Sequence, residues 1–472
     1  MRIHGSEPRG SKRVPLSPIS EGRFGRMFRR LRPATEYSDD QLTALAEQMR
    51  EPEPTPGGTP GGWGHPGAPA EDGDNPAIAS GYTYFGQFVD HDITFDPTSQ
   101  LGRTNDPDAL RDFRTPRFDL DSLYGSGPAD EPFQYDKNEP GALLLGESNG
   151  QPDLPRNSQG IALIGDPRND ENIIVSQLQL VFLRFHNKVL RDIVVPNTAI
   201  AVEDRLDETQ RLVRWHYQWV IARDYLPRTC GRELIDQLFE LDHTSGQRHV
   251  ELRYYDPKND PYMPVEFSGA AFRFGHSQIR AAYNLSDAVP DRPVFLPGDA
   301  VGELDDLRGN RPLPLSWTID WRMFLPIDGS TPQPSRRIDA KLTPGLFDLP
   351  RISGDQSLAL RNLKRSQALG LPSGQDVARF LGVTPRTGAE LGTDLDPTPL
   401  WFYILKESEL EDHRGERLGK VGARIVAEVL LGLLAGDKLS YINVEPGWQP
   451  APPIAPEPGR FELGDLVRYA TT

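Results

Sequence analysis

Apolar positions along the chain recur mostly at the spacing of an amphipathic helix. The clearest helical stretches are residues 176–194, 205–225 and 416–436. Runs of alternating β-branched residues are scarce, and no internal repeat of 20–50 residues is present. Prolines are concentrated in long connections, such as residues 285–315 and 325–350. The pattern predicts a mainly α, multi-helical single domain with long irregular loops and few short strands.

The first 74 residues have a different pattern. Four apolar residues at i, i+3, i+4 and i+7 predict a short helix that docks on the body. Residues 38–41 (Ser-Asp-Asp-Gln) predict a capping box that opens a helix ending at Arg50. Residues 51–70 hold six prolines and six glycines, which is typical of a linker. We therefore expect an N-terminal arm over residues 1–74 and one domain over residues 75–472. The four apolar residues are Phe24, Met27, Phe28 and Leu31.

Charge is distributed unevenly along the 472 residues. The formal net charge is −16 and the pI is about 5.1, which argues against nucleic acid as the main partner. Residues 1–33 carry nine Arg or Lys against two Glu, and we interpret this basic arm as a solvated face.

The cysteine count and the hydropathy of the chain indicate the cellular compartment. Cys230 is the single cysteine, so no intramolecular disulfide is possible. No apolar segment follows the basic N-terminus, and the most apolar stretch, residues 426–434, is too short to span a bilayer. We expect no secretory leader and no membrane span, and a cytoplasmic location by default.

The run at residues 86–92 (Gly-Gln-Phe-Val-Asp-His-Asp) carries the strongest chemical signal. It places His91 between Asp90 and Asp92, four residues after Gln87. Burying a histidine between two acids is costly unless each acid has a cation or a covalent partner. Three later segments share this density of polar residues: residues 115–125, 165–171 and 272–276.

The second segment offers oxygen ligands at alternate positions. Thr115, Arg117, Asp119 and Asp121 could wrap hydroxyl, carbonyl and carboxylate oxygens around a hard cation such as calcium. The alternative is a polar turn before a strand end, and the segment by itself does not decide between them.

Two histidines lie far apart in the chain. His91 and His276 could frame a planar cofactor together with an arginine and a glutamine, or each could be a buried core residue. Zinc is disfavoured, because the chain has no CxxC and no HExxH motif.

Taken in order, these four segments resemble the animal-type haem peroxidases of the peroxidase–cyclooxygenase superfamily, typified by myeloperoxidase and lactoperoxidase. The resemblance covers about residues 75–445 and has the character of bacterial members without a leader. Further segments that agree are residues 185–187 (Phe-His-Asn), 222–227 (Ala-Arg-Asp-Tyr-Leu-Pro), 360–365 (Leu-Arg-Asn-Leu-Lys-Arg) and 370–372 (Gly-Leu-Pro).

The resemblance implies an enzyme with haem b and Ca²⁺ as cofactors and a role in the response to oxidative stress. Hydrogen peroxide would oxidise a halide, a pseudohalide or a small phenolic reductant through a ferryl intermediate. Two alternatives are a fatty-acid dioxygenase of the same superfamily and an inert haem-binding adhesion protein. The dioxygenase needs a tyrosine three residues before the proximal histidine, where this chain has Arg273.

The resemblance also assigns roles to individual residues. The distal histidine, arginine and glutamine would be His91, Arg168 and Gln87. The proximal side would use His276 as the iron ligand, Asn362 as the acceptor of its other N–H, and Arg273 and Arg365 near the propionates. Ester bonds to the haem would come from Asp90 and Glu171, and the calcium ligands would be Asp92, Thr115, the Arg117 carbonyl, Asp119 and Asp121.

Some features depart from the family pattern or stay outside the site. Asn172 stands where myeloperoxidase has the methionine of a sulfonium link, so that link is not expected. The stretch Gln367-Ala368-Leu369 replaces the Arg-Asp-His that often follows the asparagine helix, so the proximal support is expected to differ. His186 and His216 are interpreted as structural core residues and Cys230 as an inert thiol.

Overall fold

The structure is a computed structural model of the chain. It describes residues 22–52, 73–95, 111–112, 114–241, 248–257, 261–296, 305–350 and 354–472. The predicted linker at residues 51–70 lies almost wholly outside these ranges, and the arm before residue 22 lies outside them as well.

Helices form most of the described architecture, as the sequence predicts. The α-helices are α1 Asp39–Gln48, α2 Gly81–Ile93, α3 Asp121–Tyr124, α4 Ile173–Val189, α5 Arg205–Val220, α6 Arg232–Leu238, α7 Val265–Ser268, α8 Leu358–Ala368, α9 Gly374–Phe380, α10 Leu400–Leu410, α11 Lys420–Gly436, α12 Tyr441–Val444 and α13 Leu463–Thr471. Wider π-helical turns are Leu190–Val194, Ile221–Tyr225 and Pro227–Gly231, and narrower 3₁₀ turns are Pro132–Gln134, Pro167–Asp170, Val202–Asp204, Ala271–Gln278, Trp321–Met323 and Pro344–Leu346.

The strands are short, with at most six residues each. They are β1 Gly22–Gly25, β2 Asp74–Ala79, β3 Arg111–Asp112, β4 Gly146–Ser148, β5 Gln151–Asp153, β6 Phe239–Leu241, β7 Arg248–Val250, β8 Met263–Pro264, β9 Ala282–Tyr283, β10 Arg292–Pro293 and β11 Pro334–Arg336. A three-stranded sheet has the order β3-β1-β8, and the remaining pairs are β10-β9, β11-β2, β4-β5 and β6-β7. The fold class predicted from the periodicity is confirmed.

Helix α4 lies at the centre of the molecule. Nearly all of its residues are buried, and it contacts α2, α5 and α13. Helix α11 is similarly buried and packs against α10 and α6. Both helices are apolar on most sides, which is the pattern expected of helices surrounded by other elements. Along the described ranges, no helix combines the length and the apolar character needed to cross a bilayer.

The long helices begin and end close to the predicted positions. The stretch predicted at 176–194 is α4 followed by its π-helical turn, and the stretch predicted at 205–225 is α5 followed by another. Helix α11 begins four residues later than predicted, at Lys420, after Gly419 as its N-cap. The capping box is confirmed, since Ser38 and Gln41 exchange both hydrogen bonds and open α1.

The predicted helix over Phe24 to Leu31 is wrong. Strand β1 occupies its start and pairs antiparallel with β3 and parallel with β8. Gly22 and Gly25 explain this, because glycine weakens a helix and permits close approach here. A Cβ on Gly22 would lie 2.5 Å from the Arg114 carbonyl oxygen. Docking of the segment is nevertheless observed, since Phe24 and Phe28 are buried. The division at residue 74 stays a prediction.

Candidate functional site

One cavity of about 610 Å³ brings together the residues that the sequence separates most widely. Its walls are α2, the turn Pro167–Asp170, the turn Ala271–Gln278 and α8. Apolar and aromatic side chains, among them Tyr84, Tyr225 and Phe272, also line the cavity, and so do Arg308 and Arg361. The predicted site residues that line it are Gln87, Asp90, His91, Arg168, Glu171, Arg273, His276, Asn362 and Arg365.

Helix α2 supplies three of these residues from one face. Gln87, Asp90 and His91 fall at i, i+3 and i+4, so their side chains emerge on the same side. The helix passes close to its neighbour at Gly86, where a Cβ would lie 2.5 Å from the Tyr225 hydroxyl. Any larger residue would push α2 away and widen the cavity.

His91 is buried and its ring is held at one nitrogen. Nδ1 lies 2.7 Å from Asn169 Oδ1. Burial and the nearby charge of Arg168 lower the pKa of His91 below its ordinary value. The imidazole is therefore neutral near pH 7, as a group must be if it is to accept a proton.

Arg168 is fixed by several acceptors at once. Its Nη2 donates to Asp166 Oδ2 at 2.8 Å and to the carbonyl oxygens of His91 and Thr94 at 2.9 and 2.6 Å. Burial opposes ionisation of Asp166, but the bonds and charge of Arg168 and the charge of Arg114 lower its pKa to about 2. The guanidinium also lies over the Phe95 ring, 4.7 Å from its centroid. Arg168 is thus a preorganised cation at the cavity wall.

Gln87 and Glu171 are joined above the same wall. Gln87 Nε2 donates to Glu171 Oε1, and Asn172 Nδ2 donates to Gln87 Oε1 at 3.3 Å. The same carboxylate oxygen lies 3.8 Å from His91 Nε2. Three side chains from two segments therefore form one hydrogen-bonded cluster beside His91.

His276 lines the same cavity from another element, the turn Ala271–Gln278. Its Nδ1 is 2.7 Å from Asn362 Nδ2, and Asn362 Oδ1 accepts from Arg273 Nη1 at 3.3 Å. Burial and the charge of Arg273 lower the pKa of His276 to about 3, so the ring is neutral and able to bind a metal. The sequence predicts that Asn362 accepts the Nδ1–H of His276, but here the amide nitrogen of Asn362 faces that ring nitrogen. The predicted bond requires the Asn362 amide to turn by 180°.

Arginines make this wall strongly cationic. Arg273, Arg361 and Arg365 all line the cavity. Burial lowers the pKa of Arg273 to about 10, and the charges of Arg365 and Arg361 add to the effect, whereas Asp90 opposes it. A buried group of like charges is costly by itself and is relieved by an anionic ligand.

Comparison with known proteins fits this geometry. Residues 106–398, more than half of the chain, match the animal haem peroxidase family. The chain belongs to that family.

Curated relatives match about half to two thirds of the chain. Pig (Sus scrofa) thyroid peroxidase is 27% identical over 322 residues, 62% of this chain and 32% of its own length. Human thyroid peroxidase is 30% identical over 251 residues, 52% of this chain and 25% of its own length. The chain spans between a quarter and a third of the length of these relatives.

Solved structures support the fold alone, because their sequence identities are low. Peroxidase A from Dictyostelium discoideum has a TM-score of 0.67 at 16% identity, covering 100% of this chain and 97% of its own. A fatty acid alpha-dioxygenase from Oryza sativa has a TM-score of 0.59 at 14% identity, covering 88% and 77%.

Membership of the haem peroxidase family implies a haem, and the cavity fits one. Its volume lies within the roughly 300–1,000 Å³ of small-molecule and cofactor pockets. His276 offers a neutral imidazole, the arginines offer partners for carboxylates, and the lining is otherwise largely apolar. Sequence reasoning missed Arg361, although its place three residues after Leu358 and four before Arg365 puts it on the same face of α8.

The expected calcium ligands gather on the other side of α2, outside the cavity. Asp92 is fully buried and accepts from the Leu120 N–H at 3.3 Å and the Ser122 hydroxyl at 3.4 Å. Burial and the charges of Asp119 and Asp121 raise the pKa of Asp92 far above its ordinary range. Throughout the described ranges, no group of three or more His, Cys, Asp and Glu side chains is arranged to hold a metal by itself.

The departure at Gln367-Ala368-Leu369 ties down the N-terminal arm. Gln367 accepts from the Tyr37 N–H at 2.8 Å and donates to the Tyr37 carbonyl at 3.2 Å. Arg26 donates to the Leu369 and Gly370 carbonyls at 3.0 and 2.8 Å. The end of α8 therefore supports the arm in this chain.

His186, His216 and Cys230 lie outside the cavity lining. His186 contacts the Tyr124 hydroxyl at 3.0 Å and the Gly141 carbonyl at 2.8 Å, and His216 Nδ1 contacts the Leu212 carbonyl at 2.7 Å. Burial raises the pKa of the Cys230 thiol to about 12. These contacts are those of core residues, and the thiol is protonated at neutral pH.

Proposed function

We propose that the chain is a haem-dependent peroxidase that uses hydrogen peroxide to oxidise a halide, a pseudohalide or a small phenolic molecule. The observation that carries the proposal is one cavity lined by two neutral histidines from separate elements, His91 on α2 and His276 on the turn Ala271–Gln278. Family membership supports it, and the named peroxidases among the relatives agree with it. When bound, haem supplies the electron-transfer chemistry that links reduction of peroxide to oxidation of the second substrate.

The proximal wall would hold the iron. His276 would bind it through Nε2, and Asn362 would accept the Nδ1–H once its amide is turned, which increases the electron donation of the ring. Arg273 and Arg365 would bind the haem propionates, with Arg361 as a third cation in the same wall.

The distal wall would handle the protons. His91 Nε2 would accept a proton from peroxide and return it to the departing oxygen, which a neutral imidazole with a pKa below pH 7 can do. Arg168 would stabilise the negative charge that builds on that oxygen. Gln87, tied to Glu171, would position water or halide beside His91.

Two further features belong to the proposal. Asp90 and Glu171 would form esters with haem methyl groups, since both carboxylates line the cavity. For each ester, a methyl C–H bond would be replaced by a C–O bond to the carboxylate, the hydrogen would leave as a proton, and hydrogen peroxide would take up the two electrons. A calcium ion would bind Asp92, Thr115, the Arg117 carbonyl, Asp119 and Asp121, and would relieve the repulsion among three buried or half-buried acids.

The other candidate activities fit less well. A tyrosyl relay for a fatty-acid dioxygenase would occupy the position of Arg273, where the guanidinium contacts Asn362 and the Ser268 carbonyl. An inert haem-binding role would leave the paired groups around His91 and Arg168 without a purpose. The inert role predicts no reaction with peroxide, whereas the dioxygenase predicts oxygen consumption with a fatty acid.

Absorption spectroscopy of the purified protein tests the proposal. We expect a haem Soret band with histidine ligation, a spectral change within seconds of adding hydrogen peroxide, and return of the resting spectrum when iodide, thiocyanate or guaiacol is added. A haem protein whose spectrum peroxide leaves unchanged would contradict the peroxidase assignment. Oxygen consumption with a fatty acid would favour the dioxygenase.

A further inference from the structure

A chain of buried amides runs from His91 to the backbone of α3. Asn169 Oδ1 contacts His91 Nδ1 at 2.7 Å, and Asn169 Nδ2 donates to Gln179 Oε1 at 2.8 Å. Gln179 Nε2 donates in turn to the Ser122 carbonyl oxygen at 3.2 Å. Asn169, Gln179 and Ser122 are completely buried, and none of them lines the cavity.

The end of this chain fixes its direction. A backbone carbonyl can only accept, so Gln179 must turn its nitrogen towards Ser122 and its oxygen towards Asn169. Asn169 must then give its nitrogen to Gln179, which leaves its oxygen facing His91. An amide oxygen can only accept, so Nδ1 of His91 must carry the hydrogen. In a neutral ring, the other nitrogen then holds the lone pair.

We propose that Asn169 and Gln179 are positioning residues that hold His91 in its Nδ1–H tautomer, with the Ser122 carbonyl as the fixed end. This inference rests on the proposed function, because only a proton-accepting role of Nε2 makes the tautomer matter. Neither amide touches the cavity, so both act through His91. Nε2 is thereby presented as an acceptor before any peroxide arrives.

The chain also connects His91 to the proposed calcium region. Ser122 belongs to α3, and its hydroxyl donates to Asp92 Oδ1 at 3.4 Å. Asp92 follows His91 directly on α2, so one residue anchors both the amide chain and the carboxylate. A shift of α3 would therefore disturb the tautomer and the backbone of His91 together.

Nitrogen NMR of the histidine rings is the direct test. The purified protein is labelled with ¹⁵N-histidine and studied in its diamagnetic ferrous–CO form. The ¹⁵N chemical shifts distinguish protonated from unprotonated ring nitrogens. His91→Ala assigns the signals. We expect Nδ1–H in the wild type and in Asn169→Asp, which keeps an acceptor oxygen. Asn169→Leu and Gln179→Leu should show a mixture or the Nε2–H form. Gln375→Leu removes another buried amide, which bonds to Thr398, and should leave His91 unchanged.

The pH dependence of the reaction with peroxide gives a second readout. Asn169→Asp places a carboxylate beside the ring, so the pH below which the rate falls should rise by about one unit or more. Asn169→Leu should slow the reaction by about 10-fold, a part of the roughly 10²–10⁴-fold that a general base supplies. A change in stability alone would move neither the tautomer nor the pH profile.

The outcomes separate this inference from the proposed function. An Nε2–H tautomer in the wild type overturns the amide chain, and so does an unchanged tautomer in Asn169→Leu, even if the protein is an active peroxidase. The expected tautomer in a protein that does not react with peroxide overturns the peroxidase assignment and leaves the amide chain standing. If the leucine variants do not fold, Asn169→Asp and Gln179→Glu retain the side-chain size. Gln179→Glu loses the donor to Ser122 but still accepts from Asn169 Nδ2, so the Nδ1–H tautomer should persist, and an Nε2–H form in that variant would contradict the inference.

Discussion

The two walls of the cavity are organised differently. In the distal wall, Nδ1 of His91 and the guanidinium of Arg168 both have protein partners, and a chain of buried amides lies behind His91. In the proximal wall, His276 has one side-chain partner, Asn362, and three arginines crowd the same lining. The distal wall is therefore complete without a ligand, whereas the proximal wall concentrates charge that an anionic cofactor would neutralise. On the proposed assignment, one wall positions a proton acceptor and the other binds the cofactor.

The largest expected effect comes from removing the proximal histidine. His276→Ala deletes the proposed iron ligand in a wall whose positive charges do not bind iron, so we expect loss of most haem on gel filtration, measured by the Soret absorbance per protein. His91→Ala is the matched control, because it removes a histidine of equal size from the distal wall. Equal haem content in the two variants would contradict the division between the walls.

Removing the distal base should impair reactivity and spare haem binding. In His91→Ala we expect the rate of reaction with peroxide, followed by stopped-flow absorbance, to fall by about 10²–10⁴-fold. In the wild type, burial keeps the pKa of His91 below its ordinary value, so the rate should hold through neutral pH and fall only as the pH drops through that lowered pKa. A wild-type rate in the variant would show that another group accepts the proton.

The ease of predicting each wall from the sequence also differs. The distal residues are adjacent on α2 and on the turn Pro167–Asp170, so short motifs contain them. The amide chain was missed, since Asn169 and Gln179 follow no periodic pattern and their pairing depends on how α4 crosses α3. Helices were predictable because their burial follows a 3.6-residue period. Strand β1 was not, because its partners β3 and β8 are far away in the chain.

The two proposed ester residues allow a sharper comparison. The Asp90 carboxylate makes no hydrogen bond or ion pair with the described residues, whereas the Glu171 carboxylate accepts from Gln87. We expect Asp90 to attach first, so Asp90→Val should lose more covalent haem than Glu171→Gln after peroxide treatment. Acid–acetone extraction measures the haem that stays with the protein. The double variant should release all of it, and complete release from the wild type would contradict covalent attachment.

Calcium removal should affect the distal wall more than the proximal wall. Asp119→Ala deletes a proposed ligand close to Asp92, which neighbours His91 on α2. We expect loss of bound calcium by atomic emission and a reaction with peroxide that is several-fold slower, while haem content changes little. Asp376→Ala, which removes a partly exposed acid from the first turn of α9, is a control for removing an acid. Unchanged calcium content in Asp119→Ala would remove the basis for this site.

The smallest expected effect concerns the contacts between the end of α8 and the N-terminal arm. Gln367 makes two hydrogen bonds to the Tyr37 backbone, and neither Gln367 nor Tyr37 lines the cavity. A net contribution of about 0.5–1.5 kcal/mol for each bond predicts that Gln367→Ala lowers the free energy of unfolding by about 1–3 kcal/mol, measured by urea denaturation. Because α8 also carries Asn362, a structural link between the arm and the cavity would change the haem spectrum as well. We expect the spectrum and the peroxide rate to stay at wild-type values, since the bonded backbone lies at the far end of α8. A shifted Soret band in this variant would show that the arm helps to position the proximal wall.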